Sequence, residues 1–161
     1  MNDFNEIYNE SKVDDSTAST MEHKNNVKKI LFSFISNLIS RSFHHDDSKL
    51  VEPEKSLFDE YTPKLKDCKY GSDKYKELLK GLSVALNHHY AVNSHHPEHY
   101  ENGINGMDLL DLMEMMADWK ASTLRNKDGD ISKSLEINKK RFGISDQLFD
   151  ILNNTINRYL K

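Results

Sequence analysis

Apolar side chains recur every three or four residues over several stretches of the chain, which is the spacing of amphipathic α-helices. The first stretch starts at Met21, the second covers residues 72–93, and the third follows Asp108. Two more cover residues 131–141 and 145–159. Only six glycines and three prolines are present, too few for the turns of a many-stranded sheet. The pattern predicts an all-α fold, a single-domain bundle of about six to seven helices.

The same pattern separates a terminal arm from a helical domain. Residues 1–20 are polar and rich in Asn, Asp and Ser, so we expect a flexible arm there. Residues 21–161 form the predicted domain, with a core from 21 to 125 that carries the candidate chemistry. A C-terminal helical cap should cover residues 130–161, and its sequence offers no chemistry of its own.

Charge and composition narrow the classes of partner. The 161 residues carry a formal net charge of -4 at pH 7, so the chain lacks the basic surface that binds a long nucleic acid, whereas small phosphate ligands are not excluded. Cys68 is the one cysteine, which rules out an intramolecular disulfide and a cysteine-based zinc site. No apolar run approaches the ~20 residues of a membrane span, and no signal-peptide core is present. We therefore expect a cytoplasmic protein.

Histidines are concentrated in residues 87–99, which hold five of the eight in the chain. Neutral imidazole is a good metal ligand near pH 7, so this density suggests metal or phosphate chemistry. Helical periodicity places His89 and Asn93 on the apolar side of the segment and turns His88 away from it. His89 is therefore the inward candidate.

Pro97 should end this helix and leave His95 and His96 at its exit. Three interpretations are open for these two side chains. They hold a second metal ion, they contact a phosphate directly, or they belong to a solvated histidine-rich loop that has no site at all.

A second cluster lies upstream, where residues 43–49 read FHHDDSK. His45 and Asp46 offer one nitrogen and one oxygen ligand to a single divalent ion, and the ammonium group of Lys49, three residues on, can meet a phosphate oxygen. The alternative is a polar turn with a helix cap. Glu52 and Glu54 follow, either as a general acid or acceptor of a substrate hydroxyl, or as charges in the first turn of a helix.

Three acidic residues, Asp111, Glu114 and Asp118, form a narrow stripe on the helix after Asp108, because they are three and four residues apart. Almost every other direction around this helix is apolar. Periodicity favours a solvent-facing stripe, since it lies opposite the centre of the apolar arc. The alternative is a central helix whose acidic stripe faces a metal pocket.

His23 belongs to the first predicted helix. At about 100° per residue it lies on the same side as Ile30 and Phe34, so we expect it to point inward. Taken alone, such a histidine is typical of a core or a helix end.

The ordered set of His23, His45 with Asp46, and Asp118 resembles the signature of the HD-domain metal-dependent phosphohydrolases. The run HDDSK resembles the HDxGK form of that motif, with Ser48 in place of the glycine. HH followed by PE at residues 95–98 resembles the extra histidines of two-metal HD phosphodiesterases, HD-GYP proteins among them, although the GYP tripeptide is absent. Residues 20–125 as a whole are similar to short, largely uncharacterised HD-like proteins of bacteria and phages.

This resemblance implies a metal site on an HD-like helical bundle, with one or two divalent ions of manganese, iron, cobalt, nickel or magnesium. The implied metal ligands are His23, His45, Asp46 and Asp118. The side chains implied for a second metal or for phosphate are His89, His95 and His96. Together with the reasoning from the residues themselves, this gives expected catalytic roles for Asp46, Lys49, Glu52 and Glu114, the last orienting a metal-bound histidine or water. Substrate contacts are implied for Lys49 and Asn93.

We therefore expect hydrolysis of a phosphoester on a nucleotide or related small molecule, in a bacterial cell or a phage-infected host. Two alternatives stay open. Some HD-domain proteins hold two irons and activate oxygen, and a short phage-like protein can instead be a non-catalytic module that binds a nucleotide or a host protein. A homodimer fits the sequence, whereas neither a large nucleic acid nor a membrane is expected as a partner.

Overall fold

The computed structural model describes residues 15–66, 68, 72–125 and 128–160, and this part of the chain is helical with no strand. Its α-helices are α1 (Thr17–His44), α2 (Glu54–Lys66), α3 (Asp73–Gly81), α4 (Ser83–Val92), α5 (Leu109–Thr123), α6 (Ile131–Phe142) and α7 (Asp146–Tyr159). Short 3-10 helices cover Asp47–Leu50, Pro97–His99 and Gly103–Gly106. The all-α prediction is confirmed. Within the described ranges, no helix is long and apolar enough to cross a membrane.

Helix boundaries differ from the predicted ones at two places. Helix α1 begins at Thr17, inside the stretch predicted as an arm, while residues 1–14 lie outside the described part of the chain. The predicted helix over residues 72–93 is divided into α3 and α4 after Gly81. A β-carbon at Gly81 would lie 2.4 Å from the Tyr61 ring, so the glycine allows a close approach to α2 where the helix breaks.

Contacts divide the chain into two units, Met1–Ser36 and Asn37–Lys161. In the first unit, the prediction that His23 points inward with Ile30 and Phe34 is wrong, because all three side chains are exposed. The described part of this unit contains α1 alone. It therefore offers no second helix on which that side of α1 can pack.

The core of the second unit is built largely by its last three helices. Its main cluster of buried apolar side chains consists of Ile104, Met115, Met116, Ile131, Leu135, Ile144, Leu152 and Ile156. Helix α6 packs against α5 and α7, while α2 packs against α3 and α4. The C-terminal helices, predicted as a cap packed on the core, thus contribute half of the core side chains themselves.

Helix α5 begins after Asp108, as predicted. The Asp108 carboxylate accepts hydrogen bonds from the N–H groups of Leu110 and Asp111, and the Asp111 carboxylate accepts one from the N–H of Asp108. This capping box fixes where the helix starts. It thereby fixes the direction in which the acidic stripe of α5 points.

Candidate metal centre

His45 and Asp46 lie in the turn that follows α1. Asp46 has a φ of 61°, a left-handed conformation that Asp tolerates better than most residues other than glycine. The turn brings the two side chains together, with Nε2 of His45 3.5 Å from Oδ2 of Asp46. Backbone strain of this kind is concentrated at functional sites.

Asp46 meets three histidines from the segment that includes and follows α4. Its Oδ1 lies 3.2 Å from Nε2 of His89 and 3.5 Å from Nε2 of His95, and Nε2 of His96 lies 2.9 Å from Nε2 of His89. One ligand atom from each of the four residues lies within 4.8 Å of the others. We call Asp46, His89, His95 and His96 the histidine group.

Two atoms of the histidine group are buried without a hydrogen-bond partner among the described residues, namely Oδ1 of Asp46 and Nε2 of His95. An unpaired buried polar atom costs about 1–3 kcal/mol of stability. These two atoms lie 3.5 Å apart, and carboxylate oxygen and imidazole nitrogen are both ligands of divalent cations. The residues present therefore fit a metal ion.

A second group of ligand atoms shares Asp46. His45, Asp46 and Asp118 each offer one atom within 4.8 Å of the others, and Nε2 of His45 lies 3.8 Å from Oδ1 of Asp118. We call these three residues the acidic group. Since Oδ1 of Asp46 faces the histidine group and Oδ2 faces His45, the carboxylate lies between two candidate ion positions.

Glu114 contacts the Nδ1 atoms of two histidines, His45 and His95. Its Oε1 lies 2.8 Å from Nδ1 of His45 and 3.2 Å from Nδ1 of His95, while its Oε2 accepts a 2.6 Å hydrogen bond from Nε of Arg41. His45, His95 and Glu114 are also close enough together to hold an ion, but the Arg41 guanidinium would repel a cation there. Glu114 is better placed to fix the orientation of the two rings.

Glu54 is fully buried and contacts two histidines, His88 and His89. Its Oε1 lies 2.8 Å from Nδ1 of His88, and its Oε2 lies 2.9 Å from Nδ1 of His89. A carboxylate accepts from a ring N–H, so Nδ1 of His89 donates to Glu54 and the ring presents Nε2 to Asp46.

Arg41 forms hydrogen bonds with acidic residues of α5 and with Ser94. Its Nη2 donates to Oδ1 of Asp111 at 2.5 Å and to Oγ of Ser94 at 3.0 Å, and Tyr100 donates to Oδ2 of Asp111 at 2.6 Å. Burial alone would raise the pKa of Asp111, but the hydrogen bond from Tyr100 and those from its other donors lower it to about 2. Asp111 is only 3% exposed. The prediction that the acidic stripe faces solvent is therefore wrong, because Arg41 and Tyr100 supply buried partners for it.

His45 and His96 differ in protonation. The interaction with Asp118, reinforced by the hydrogen bond to Glu114, raises the pKa of His45 to about 9. Burial and the neighbouring His95 lower the pKa of His96 to about 3. Near pH 7 His96 is thus neutral and able to bind a metal ion, whereas His45 carries a proton that an ion must displace.

The carboxylates of both groups are ionised. Burial opposes the charge of Asp46, but the interaction with His89 and the ion pair with Lys49 hold its pKa well below the usual range. Burial likewise opposes the charge of Asp118, and the hydrogen bond with His45 lowers its pKa. At neutral pH the two carboxylates are balanced by Lys49 and by the protonated His45, the charges that a bound metal ion would replace.

Lys49 and Asn93 border the site. Nζ of Lys49 lies 2.6 Å from Oδ2 of Asp46, so the lysine neutralises the oxygen that faces the acidic group. Nδ2 of Asn93 donates to Oγ of Ser48 and to the backbone carbonyl of His89, both at 2.8 Å. These bonds hold the end of α4 against the turn that carries Asp46.

Most residues predicted for the site come together, and a few do not. The assembled ones are His45, Asp46, Lys49, His89, Asn93, His95, His96, Glu114 and Asp118. The alternative of a solvated histidine loop is wrong, since His95 is 2% exposed. His23 is exposed on α1 and belongs to none of the ligand groups among the described residues. Glu52 is exposed and bonds to Ser56, while its neighbour Glu54 takes the buried position.

Comparison with known proteins gives a family and no function. A family model described as "Family of unknown function (DUF5662)" matches residues 12–158, which is nearly the whole chain. No curated protein and no solved structure matches the chain.

Proposed function

The chain belongs to the DUF5662 family of unknown function, and we propose that it is a metal-dependent hydrolase of phosphoesters on a nucleotide or a related small molecule. One observation carries this proposal. The Asp46 carboxylate is shared between the histidine group and the acidic group, so one ion can lie on each side of it. Paired ions of this kind stabilise both the attacking and the leaving oxygen of a phosphoester.

The ligand atoms support a borderline divalent ion. They are imidazole nitrogens and carboxylate oxygens with no sulfur, a set that suits manganese, iron, cobalt or nickel, with magnesium the weaker candidate. When bound, such an ion lowers the pKa of a water ligand and neutralises charge on phosphate oxygens. The acidic group has only three protein ligands, which leaves room for water and substrate.

The remaining residues prepare this site. The Lys49 ammonium lies 2.6 Å from Oδ2 of Asp46. A cation bound by the acidic group would release that ammonium, which can then bind a non-bridging phosphate oxygen. Asp118 is ionised and partly exposed, so its carboxylate can accept a hydrogen bond from the attacking water.

The proposal is tested by product analysis. The purified protein is incubated with manganese and a panel of nucleoside mono-, di- and triphosphates, cyclic dinucleotides and simple phosphomonoesters, and products are separated by chromatography. Asp46→Ala is the inactive variant, and Asp47→Ala is the matched control, because Asp47 is exposed and pairs with His44, which belongs to neither group. Product that requires Asp46 but not Asp47 supports the proposal. Metal-loaded protein that converts no member of the panel overturns it.

The histidine group also favours a second candidate. Its three imidazoles and one carboxylate are ligands that iron accepts readily, and a protein with two irons can activate oxygen. This alternative predicts a coloured, oxygen-sensitive protein that contains two irons per chain after expression in iron-rich medium. Oxygen uptake without hydrolysis of any phosphoester would favour it over the hydrolase.

A further inference from the structure

Two cavities open beside the metal groups. One, of about 450 Å³, is lined mainly by apolar side chains of α1 and α5, among them Leu38 and Met113, together with His45, Glu114 and Asp118. The other, of about 460 Å³, is lined by His96, by Asp118 and by residues of α6. We call the second cavity the α6 cleft. It contacts one member of the histidine group and one member of the acidic group.

We propose that the α6 cleft binds the leaving group of the phosphoester and that this leaving group is a nucleoside, recognised by Trp119, Asn138 and Arg141. The inference rests on the proposed function. A phosphate between the two metal groups would face His96 and Asp118, so the atoms attached to it would extend into this cleft. The C-terminal helices, which offered no chemistry in the sequence, would then determine specificity.

Aromatic rings line the cleft on two sides. The rings of Trp119 and Phe142 are parallel within 4°, with centroids 6.1 Å apart, and the Tyr90 ring lies 5.0 Å from that of His96. A base has a flat, polarisable face, and its stacking on aromatic side chains contributes to affinity whatever its sequence identity. These walls suit a heteroaromatic ring better than an alkyl chain or a second phosphate.

Asn138 supplies a polar contact of the kind a base edge requires. It is 9% exposed, and within the described residues its carboxamide makes only one long hydrogen bond, 3.4 Å to Oγ of Ser134. A carboxamide combines donors and an acceptor, and it can pair with the edge of a base. A buried carboxamide with so little satisfied capacity, beside a cleft, is a candidate for ligand recognition.

Arg141 is held at the end of the cleft near His96. Its Nη2 lies 2.7 Å from Oε1 of Glu98, and its guanidinium carbon lies 4.6 Å from the centre of the Phe142 ring. This arrangement leaves other N–H groups of the guanidinium able to donate to a sugar or phosphate oxygen.

Trp119 lines the cleft and is the one tryptophan of the chain, so its fluorescence reports on binding there. Its fluorescence is followed while magnesium-loaded protein is titrated with adenosine, guanosine, cytidine, uridine and thymidine, with ribose and inorganic phosphate as controls. Nucleosides without phosphate cannot be hydrolysed, so this measurement does not depend on activity. We expect saturable quenching by at least one nucleoside and by neither control. Quenching by none of the nucleosides, or equal quenching by ribose, overturns the inference.

Variants separate recognition from folding. Asn138→Ala should weaken nucleoside binding at least tenfold, and Arg141→Ala, at an exposed position, provides a second variant that does not disturb the core. Asn157→Ala is the matched control, because Asn157 is exposed on α7. If the hydrolase is active, Asn138→Ala should lower kcat/KM for the nucleotide and leave that for methyl phosphate unchanged. Equal losses for both substrates, or unchanged binding in both cleft variants, would contradict the assignment. Nucleoside binding without hydrolysis of any substrate would support the nucleoside site and contradict the hydrolase proposal.

Discussion

Oε2 of Glu54 lies 2.9 Å from Nδ1 of His89, and both side chains are buried. The two residues are 35 positions apart in the sequence, and each comes from a helix that packs against the other, α2 and α4. The contact fixes the ring so that its Nε2 faces Oδ1 of Asp46 at 3.2 Å. Orientation of the histidine group therefore depends on the packing of these two helices.

Replacing this carboxylate should weaken metal binding without removing a ligand. Glu54→Gln keeps the shape but accepts the Nδ1 proton less well, so we expect a 10- to 100-fold loss in manganese affinity. Calorimetric titration with manganese measures it. Glu52→Gln is the control, because Glu52 is exposed and bonds only to Ser56. Equal affinities in both variants would show that Glu54 has no influence on the site.

Arg41 should be needed for stability even without a metal. Arg41→Met leaves Asp111 and Glu114 without their cation at a largely buried position, and we expect a loss of about 3 kcal/mol in the free energy of unfolding. Urea unfolding of the chelator-treated protein measures this difference. Arg158→Met, at an exposed position on α7, should change it by less than about 0.5 kcal/mol. A similar small change for Arg41→Met would contradict the network described for α5.

Metal binding should release a proton from His45. Its pKa is raised to about 9, so the ring is charged at pH 7.5, and an ion in the acidic group must displace that proton. Affinity should then rise about tenfold per pH unit and level off above pH 9. In the ion-free protein the sign is the opposite: the raised pKa stabilises the fold below pH 6.5, and this contribution is lost as pH rises through about 9.

Calorimetry at pH 7.5 in buffers of different ionisation enthalpy counts the released protons. About one should appear for the wild type and fewer for His45→Asn, whereas His44→Asn, at an exposed neighbour, should match the wild type. Identical proton release in all three proteins would exclude His45 as a ligand.

The C-terminal helices should be essential to the fold. Leu135 of α6 is fully buried in the core of the second unit, so Leu135→Ala should lower the free energy of unfolding by about 2–5 kcal/mol. Ile137→Ala removes a side chain of the same size at an exposed position of the same helix and should cost far less. Thermal or urea unfolding compares the two. Equal losses would mean that α6 is not packed as described.

Sequence periodicity predicted the helices and several site residues, because both signals are local. His45 with Asp46 and the pair His95 and His96 are visible as dense runs of ligands. The choice between the alternative interpretations of these residues depends on contacts with residues far away in the sequence. Whether His95 is buried depends on α5, which approaches it through Glu114, and no spacing in the sequence encodes that approach.

The wrong predictions have the same cause, because they also concern contacts between residues far apart in the sequence. The stripe of Asp111, Glu114 and Asp118 looks like a solvated edge until Arg41 is known to lie against it. His23 follows the periodicity of a core position, yet the described part of its unit offers nothing to pack on. Glu54 could have been preferred to Glu52 only from its burial, which depends on the packing of α2 and α4.

The most direct test of the shared carboxylate is the number of manganese ions bound per chain. Chelator-treated protein is dialysed to equilibrium against manganese, and metal is measured in the wild type and in single variants. We expect two ions for the wild type and for Asp47→Ala, one for Asp118→Ala, and less than one for Asp46→Ala, because only Asp46 belongs to both groups. A wild-type chain that binds no manganese, or an Asp46→Ala variant that binds as much as the wild type, would contradict a metal centre organised around Asp46.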